Sequence, residues 1–288
     1  MKPGIYSMPM GEYQGDLDST PPSLSASIAN LLCSSSPLHA WTAHPRLNPD
    51  FVRESSTEMD NGTIAHALML EGMDIAEVID ADSWRTKEAR QARDEARAKG
   101  NVPILKKHYD DICRMVEAGW QQLGAHPGIL QAPGKAEHVM IWQESNGVWC
   151  RCRPDYLHDD HRFIDDLKTR NGSANPDVIS RTMFNEGWDV TAAFYLRGLR
   201  MIDPNCDPRY RFVCMETFAP YALSVNALGP DALMLAEKKV LWAIEKFGQC
   251  LESGIWPGYP TDVCYASLPV YLENQWLQKE SKEVKHAV

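Results

Sequence analysis

The sequence has no run of 18 consecutive apolar residues, so it predicts no membrane-spanning helix and no membrane partner. The first residues, Met1–Tyr6, have no apolar signal core, and we therefore expect a cytoplasmic protein. None of the eight cysteines forms a CxxC pair, which argues against a zinc or cluster site and predicts free thiols. The sequence also shows no internal repeat and no linker, which favours one domain.

Positive charge is scarce, because 29 Lys and Arg residues face 39 Asp and Glu residues and the net charge is −10. Non-specific affinity for nucleic acid comes mainly from phosphate neutralisation by basic side chains, so this balance argues against a general nucleic-acid coat protein. It does not exclude a nuclease, because a local basic groove can lie on an acidic body and acidic metal ligands lower the total.

The order of predicted elements indicates an α/β or α+β fold in one domain over residues 1–288, with a small mixed sheet flanked by helices. Residues 1–20 are rich in Gly, Pro, Ser and Asp and predict a loose arm, and the charged end at 275–288 is expected to fray. Hydrophobic periodicity predicts helices over 83–99, 107–123, 177–200 and 230–253, and strands over 136–142, 148–157, 163–169, 209–217 and 221–228.

The chemistry centres on Asp155, which ends one predicted strand, and on Asp166 and Lys168 in the next. Side chains two apart in a strand point to one face, so Asp166 and Lys168 lie together, and a short connection can bring Asp155 beside them. Two carboxylates and an ammonium group suit Mg²⁺-dependent phosphodiester hydrolysis. An exposed salt-bridged pair is the ordinary explanation of Asp-x-Lys, but the apolar Phe163-Ile164 before it predicts an internal strand, where charges need partners or a metal.

Several segments together resemble the RecE-like exonucleases and the related phage and prophage PD-(D/E)XK nucleases over about residues 20–270. They are Leu24-Ser25-Ala26-Ser27, Gly62-Thr63-Ile64-Ala65-His66, Glu137, Arg153-Pro154-Asp155, Asp166-Leu167-Lys168-Thr169 and Ala192-Ala193-Phe194-Tyr195. The resemblance implies a PD-(D/E)XK restriction-endonuclease-like core.

The resemblance also implies roles for individual residues. His66, Asp155, Asp166 and the backbone carbonyl of Leu167 are expected to bind Mg²⁺, with Mn²⁺ as a substitute. Lys168 is the expected catalytic lysine. The additional acid of the site is expected to be Glu137, with Glu144 as the competing candidate.

The turn after Glu144 decides whether Glu137 can join this site. A two-residue turn at Asn146-Gly147 pairs Glu137 with Tyr156 and turns it away from Asp155. A three-residue loop, 145–147 with Gly147 in the left-handed conformation, pairs Glu137 with Asp155. We predict the three-residue loop.

The family commonly has Gln-x-x-x-Tyr on the helix after the lysine strand, and this sequence has Thr191 and Tyr195 at those positions. Threonine reaches less far than glutamine, which puts a DNA-contacting role of Thr191 in doubt. Tyr195 is expected to face either the site or the core, and Arg153 to contact phosphate or pair with a carboxylate.

The resemblance implies an exonuclease that digests one strand from duplex DNA ends, 5′ to 3′, and supplies single strands for recombination. It further implies a homo-oligomeric ring, with a tetramer as the candidate assembly, and a single-strand annealing protein as partner. A structure-selective or nicking endonuclease of the same superfamily and a non-catalytic DNA-end-binding protein are the alternatives.

Overall fold

The computed structural model describes residues 2–17, 20–52, 57–126 and 128–286, except for the side chains of 57–60 and 282–286. The chain divides into two compact units, Met1–Pro257 and Gly258–Val288, where the sequence predicts one domain. The second unit contains a single helix, α10 (Val270–His286), among its described residues, in place of the frayed tail expected from residue 275 to residue 286.

The first unit begins with short elements and ends with a long helix. Its strands are β1 (Gly4–Tyr6), β2 (Leu24–Ser25), β3 (Ala76–Ile79), β4 (Val102–Leu105), β5 (Gly134–Ala136), β6 (Val139–Gln143), β7 (Trp149–Cys152), β8 (Tyr156–His158), β9 (Phe163–Arg170), β10 (Arg209–Glu216) and β11 (Leu223–Asn226). Its helices are α1 (Met10–Gln14), α2 (Ala26–Ser34), α3 (Pro37–Thr42), α4 (Thr57–His66, continued by a π-helical segment, Ala67–Glu71), α5 (Lys87–Ala98), α6 (Lys106–Leu123), α7 (Pro176–Asn185), α8 (Trp188–Ile202) and α9 (Pro230–Ser253).

A five-stranded mixed sheet, in the order β11-β10-β9-β8-β5, forms the centre of this unit. Strands β9 and β10 are parallel and the other neighbours are antiparallel. One face buries Ile164, Phe212 and Cys214 with residues of α8 and α9, and the other buries Leu167 and Val213 with residues of α4 and α6. The predicted mixed sheet flanked by helices is therefore confirmed.

The two strands predicted over 136–142 and 148–157 each break in the middle. Their tips, β6 and β7, pair in a second sheet of order β1-β6-β7-β2, whereas their outer ends, β5 and β8, belong to the central sheet. The hairpin therefore crosses from one sheet to the other at residues 137–138 and 153–155.

The hairpin loop has the predicted three residues, 145–147. Gln143 is opposite Trp149, Glu144 donates its N–H to the Val148 carbonyl at 2.8 Å, and Gly147 has φ 86°. That φ lies in the left-handed region, which glycine adopts without steric cost. The loop places Glu137 opposite Asp155, as the sequence predicts.

The N-terminal segment is more ordered than the loose arm expected over residues 1–20, of which residues 1, 18 and 19 lie outside the described part. Strand β1 pairs with β6, and Leu17 and Asp16 are buried. The Asp16 carboxylate accepts hydrogen bonds from Ser23 and from Arg151, whose Nη1 lies 2.7 Å away. A buried charge is stable only when it is paired and hydrogen-bonded, and here the pair anchors the arm to β7.

The helix predicted over 177–200 is two helices, α7 and α8. Gly187 separates them with φ 71°, and a Cβ at this position would lie 2.0 Å from Asn30 Oδ1. Both the backbone conformation and the close approach of Asn30 require glycine here. The predicted free thiols are confirmed for all eight cysteines, and no helix in the described parts of the chain is both long and apolar enough to cross a bilayer.

Candidate active site

The crossing point of the hairpin brings Glu137 and Asp155 together. The Glu137 N–H donates to the Asp155 carbonyl at 3.0 Å, which continues the pairing across the break. Glu137 has φ 54°, a left-handed conformation that is uncommon for a residue other than glycine. Such strain persists only where the surrounding structure enforces it, and it is concentrated at functional sites.

Helix α4 contributes His66 from its last turn to the same point. His66 Nδ1 lies 3.7 Å from Glu137 Oε1 and 3.7 Å from Asp155 Oδ2. One ligand atom from each of the three residues lies within 4.8 Å of the others. An imidazole nitrogen with two carboxylate oxygens is a donor set that fits a divalent cation, so His66, Glu137 and Asp155 are the residues that would hold one.

Strand β9 adds Asp166 and Lys168 from one face. Lys168 Nζ lies 2.5 Å from Asp166 Oδ2, and it also lies 5.8 Å from the centre of the Trp188 ring. Between them, Leu167 turns its side chain into the opposite core, while its N–H donates to Asp155 Oδ2 at 2.7 Å. This hydrogen bond connects the carboxylate of the hairpin to the strand of the lysine. Binding of a metal by the Leu167 carbonyl stays a prediction.

The electrostatics of the cluster follow from crowding acids in a buried place. Burial and the nearby Asp166 carboxylate raise the pKa of Asp155 to about 7. Burial lowers the pKa of His66, but the Asp155 and Glu137 carboxylates outweigh it and the net shift is upward. Burial also lowers the pKa of Lys168, but the Asp166 and Asp155 carboxylates raise it by more. The net shift is upward, so the ammonium form is stabilised. The protein therefore holds protons where a cation would bind.

Of the two candidates for the additional acid, the structure brings only Glu137 to the cluster. Glu144 is buried at the far end of the hairpin, where its carboxylate accepts a hydrogen bond from Trp142 Nε1 at 2.8 Å and pairs with the Arg197 guanidinium. A carboxylate with these partners is already neutralised and has a structural role.

The three residues expected at DNA differ in position. Arg153 Nε lies 2.8 Å from Glu137 Oε2, which is the carboxylate-pairing alternative for this arginine. The Tyr195 hydroxyl donates to the Arg153 carbonyl at 3.3 Å, so Tyr195 borders the site while its ring is partly buried. Thr191 donates its hydroxyl to the carbonyl of Gly187, the N-cap residue of its own helix, at 3.4 Å.

A family model described as a PDDEXK-like domain of unknown function (DUF3799) matches residues 34–267, most of the chain. The chain belongs to this PDDEXK-like family. The family match confirms the predicted resemblance to PD-(D/E)XK nucleases.

Two solved structures are similar to this PDDEXK-like chain. A protein from Eubacterium rectale that carries an exonuclease name matches 93% of this chain and 97% of its own, with a TM-score of 0.61 and 12% identity. This match supports the fold. A phage-related exonuclease from Haemophilus somnus 129PT covers 81% of this chain and 96% of its own at 10% identity, but its TM-score is 0.32 and no argument rests on it. None of the curated proteins matches the sequence.

The sequence did not indicate two aromatic residues that lie beside the Asp166–Lys168 pair. Trp188 lies under Lys168, and Tyr210 on β10 has a buried hydroxyl whose pKa burial and the Asp166 carboxylate raise. The alternating pattern of β10 predicts Tyr210 only as a core residue. Nothing in the sequence around Trp188 indicates that it contacts Lys168, 20 positions earlier.

Metal binding to His66, Glu137 and Asp155 should depend on pH, because protonated ligands must release their protons before they bind a cation. Asp155, with its pKa near 7, is mostly protonated at about pH 6 and ionised at about pH 8, and a cation binds only the ionised form. We therefore expect Mn²⁺ affinity to rise by at least roughly tenfold per pH unit below 7, because His66, whose pKa is also raised, must lose its proton too, and to level off once both groups are deprotonated. Calorimetric titration in buffers of different ionisation enthalpy measures both the affinity and the released protons. An affinity that is constant over this range would contradict the assignment of Asp155.

Proposed function

We propose that this chain is a Mg²⁺-dependent exodeoxyribonuclease that hydrolyses phosphodiester bonds from the ends of duplex DNA. The observation that carries the proposal is the meeting of two groups at one point. The His66, Glu137 and Asp155 donors come from α4 and the hairpin, and the Asp166–Lys168 pair comes from β9. Membership of the PDDEXK-like family supports the same chemistry.

When bound, the metal supplies Lewis acidity toward a phosphate oxygen and lowers the pKa of water. The chain itself supplies the remaining functions. Lys168 offers an ammonium group that is already held against Asp166, where it positions a water molecule or stabilises negative charge developing on the phosphate. The Leu167 N–H fixes the Asp155 carboxylate, and Arg153 fixes Glu137, so the ligands do not have to reorganise.

The choice of an exonuclease rests on the resemblance to RecE-like proteins and on the exonuclease name of the protein from Eubacterium rectale. On the same basis we propose 5′-to-3′ digestion, single strands for recombination, and an annealing protein that receives them. A homo-oligomeric ring such as a tetramer would concentrate the few basic residues in one channel, which would reconcile a net charge of −10 with DNA binding.

Covalently closed circular DNA tests the exonuclease proposal directly. With Mg²⁺ or Mn²⁺, we expect end-labelled linear duplex to be degraded to nucleotides and short products while the closed circle of the same sequence stays intact. The physical reason is that an enzyme that starts at an end finds none on a circle. Nicking or linearisation of the circle would favour the endonuclease alternative, and binding of the linear duplex without cleavage of either substrate would favour the non-catalytic end-binding one. Label at the 5′ or the 3′ end gives the direction.

A further inference from the structure

Strand β9 continues beyond the lysine and presents a third charged side chain on the same face. Asp166, Lys168 and Arg170 alternate along the strand and therefore point to one side of the sheet. Consecutive members of such a row are roughly 6.6 Å apart. Arg170 thus lies one step further along the face that carries the acid and the lysine of the proposed active site.

The guanidinium of Arg170 is held in place but has few partners. Its Nη1 donates to the Thr182 hydroxyl on α7 at 3.1 Å, and that hydroxyl in turn donates to the Val178 carbonyl. Its Nε is buried and makes no hydrogen bond. On the other side lies Gly172, where an added Cβ would be 3.3 Å from Arg170 Nη2. Thr182 and Gly172 therefore form a narrow cradle that fits a guanidinium group.

Two other arginines near the sheet pair with carboxylates, whereas Arg170 does not. Arg153 pairs with Glu137, and Arg211 pairs with Asp165 at 2.6 Å. The acid directly opposite Arg170 on β10 is Glu216, but its carboxylate accepts the Ala174 N–H at 2.9 Å. Within the described residues, no ion pair involves Arg170. Its charge and most of its five donors therefore remain free for an anion.

Leaving such donors unpaired in a partly buried place costs free energy unless another molecule supplies acceptors. Phosphate oxygens match the planar fork of a guanidinium group and form charge-assisted hydrogen bonds with it. We infer that Arg170 binds a phosphate of the DNA backbone next to the one that is cleaved, and that Thr182 and Gly172 position it to do so. This inference rests on the proposed function, since it assumes DNA as the substrate of this face.

The test measures binding of a short DNA duplex in the presence of Ca²⁺, which occupies a Mg²⁺ site without supporting rapid hydrolysis. Arg170→Met keeps the apolar part of the side chain and removes the charge. We expect it to weaken binding by about tenfold and to reduce the slope of log affinity against log salt by about 1, the loss of one phosphate contact. Arg170→Lys should keep the slope but recover only part of the affinity, because a lysine cannot bind in a bidentate manner. In steady-state hydrolysis the loss should lie mainly in KM.

Two variants control for folding and for charge. Thr182→Val leaves the arginine and removes the acceptor of its Nη1 hydrogen bond, and we expect binding a few-fold weaker at an unchanged slope. Arg162 is exposed and directly precedes the first residue of β9. Arg162→Met removes its charge and should leave affinity and slope as in the parent protein.

Affinity for Mn²⁺ should be the same in all variants, because none removes a metal ligand. Parental DNA affinity and slope in Arg170→Met and Arg170→Lys would overturn the phosphate contact while leaving the nuclease proposal standing. A parent protein that neither binds nor cleaves DNA would overturn the proposed function and this inference with it.

Discussion

Replacing Lys168 with methionine is expected to lower the rate of DNA hydrolysis by roughly 10³-fold, because it removes the ammonium group that we propose acts on the scissile phosphate. Methionine retains the length and apolar character of the lysine stem, which packs near Trp188. The reduction should appear mainly in kcat, since the charge matters most when negative charge develops on the phosphate. Release of nucleotides from linear duplex at saturating Mg²⁺ measures it.

The substitution also leaves the buried Asp166 carboxylate without its partner at 2.5 Å. Breaking a partly buried pair destabilises a protein, so the unfolding midpoint must be measured together with activity. Lys168→Arg retains the positive charge and separates the two effects. It should remain as stable as the parent while losing most activity, because the guanidinium fork does not reproduce the position of Nζ.

A lysine outside the site provides the matched control. Lys135 on β5 is exposed, and Lys135→Met removes the same charge from the same central sheet. We expect parental activity from this variant. Equal rates for Lys168→Met and the parent would remove Lys168 from the mechanism.

The part of the site that the sequence predicts is the part encoded locally. Alternation along β9 is enough to place Asp166 and Lys168 on one face. Asn146-Gly147 selects the loop that sets the register of the hairpin, and this register brings Glu137 opposite Asp155. These features depend on neighbours within a few positions, and they are the features that the structure reproduces.

The parts that the sequence does not predict depend on distant contacts. Nothing near Glu137 indicates the left-handed φ at which the hairpin leaves one sheet for the other. The ordered N-terminal segment depends on the ion pair between Asp16 and Arg151, 135 positions apart. The phosphate role inferred for Arg170 depends on Glu216 bonding to a backbone N–H instead, a contact that only the folded strands define.

Replacing Asp155 with asparagine is expected to lower the rate of DNA hydrolysis by roughly 10³-fold and, at the same time, to stabilise the metal-free protein. The loss of activity follows from the loss of a proposed metal ligand. The gain in stability follows from burial, since the carboxylate lies in a poorly solvated place beside a second acid, Asp166. An asparagine carbonyl can still accept the Leu167 N–H that now bonds to Asp155 Oδ2.

The sign of the pH dependence makes this prediction specific. Because the pKa of Asp155 is raised from 3.8 to about 7, the folded protein holds a proton between these values that the unfolded chain has released. The free energy of unfolding of the parent therefore falls as pH rises through that window. The advantage of Asp155→Asn should be absent near pH 4 and complete near pH 8, where we expect a midpoint a few degrees above that of the parent.

Asp165, the neighbouring acid on the opposite face of β9, supplies the opposite control. Burial alone would raise its pKa, but hydrogen bonds from His158, Arg211 and the Leu130 N–H lower it overall. Asp165→Asn breaks this buried network and should lower the midpoint, since it leaves the Arg211 charge without its partner.

Thermal unfolding with a chelator and with Mn²⁺ measures both variants against the parent. Mn²⁺ should raise the midpoint of the parent and of Asp165→Asn by mass action and leave Asp155→Asn nearly unchanged. An Asp155→Asn protein that is less stable than the parent near pH 8, or that Mn²⁺ stabilises as strongly, would show that Asp155 is a structural carboxylate. An inactive variant with higher stability would show that the acids of this cluster are retained for chemistry at a cost to the fold.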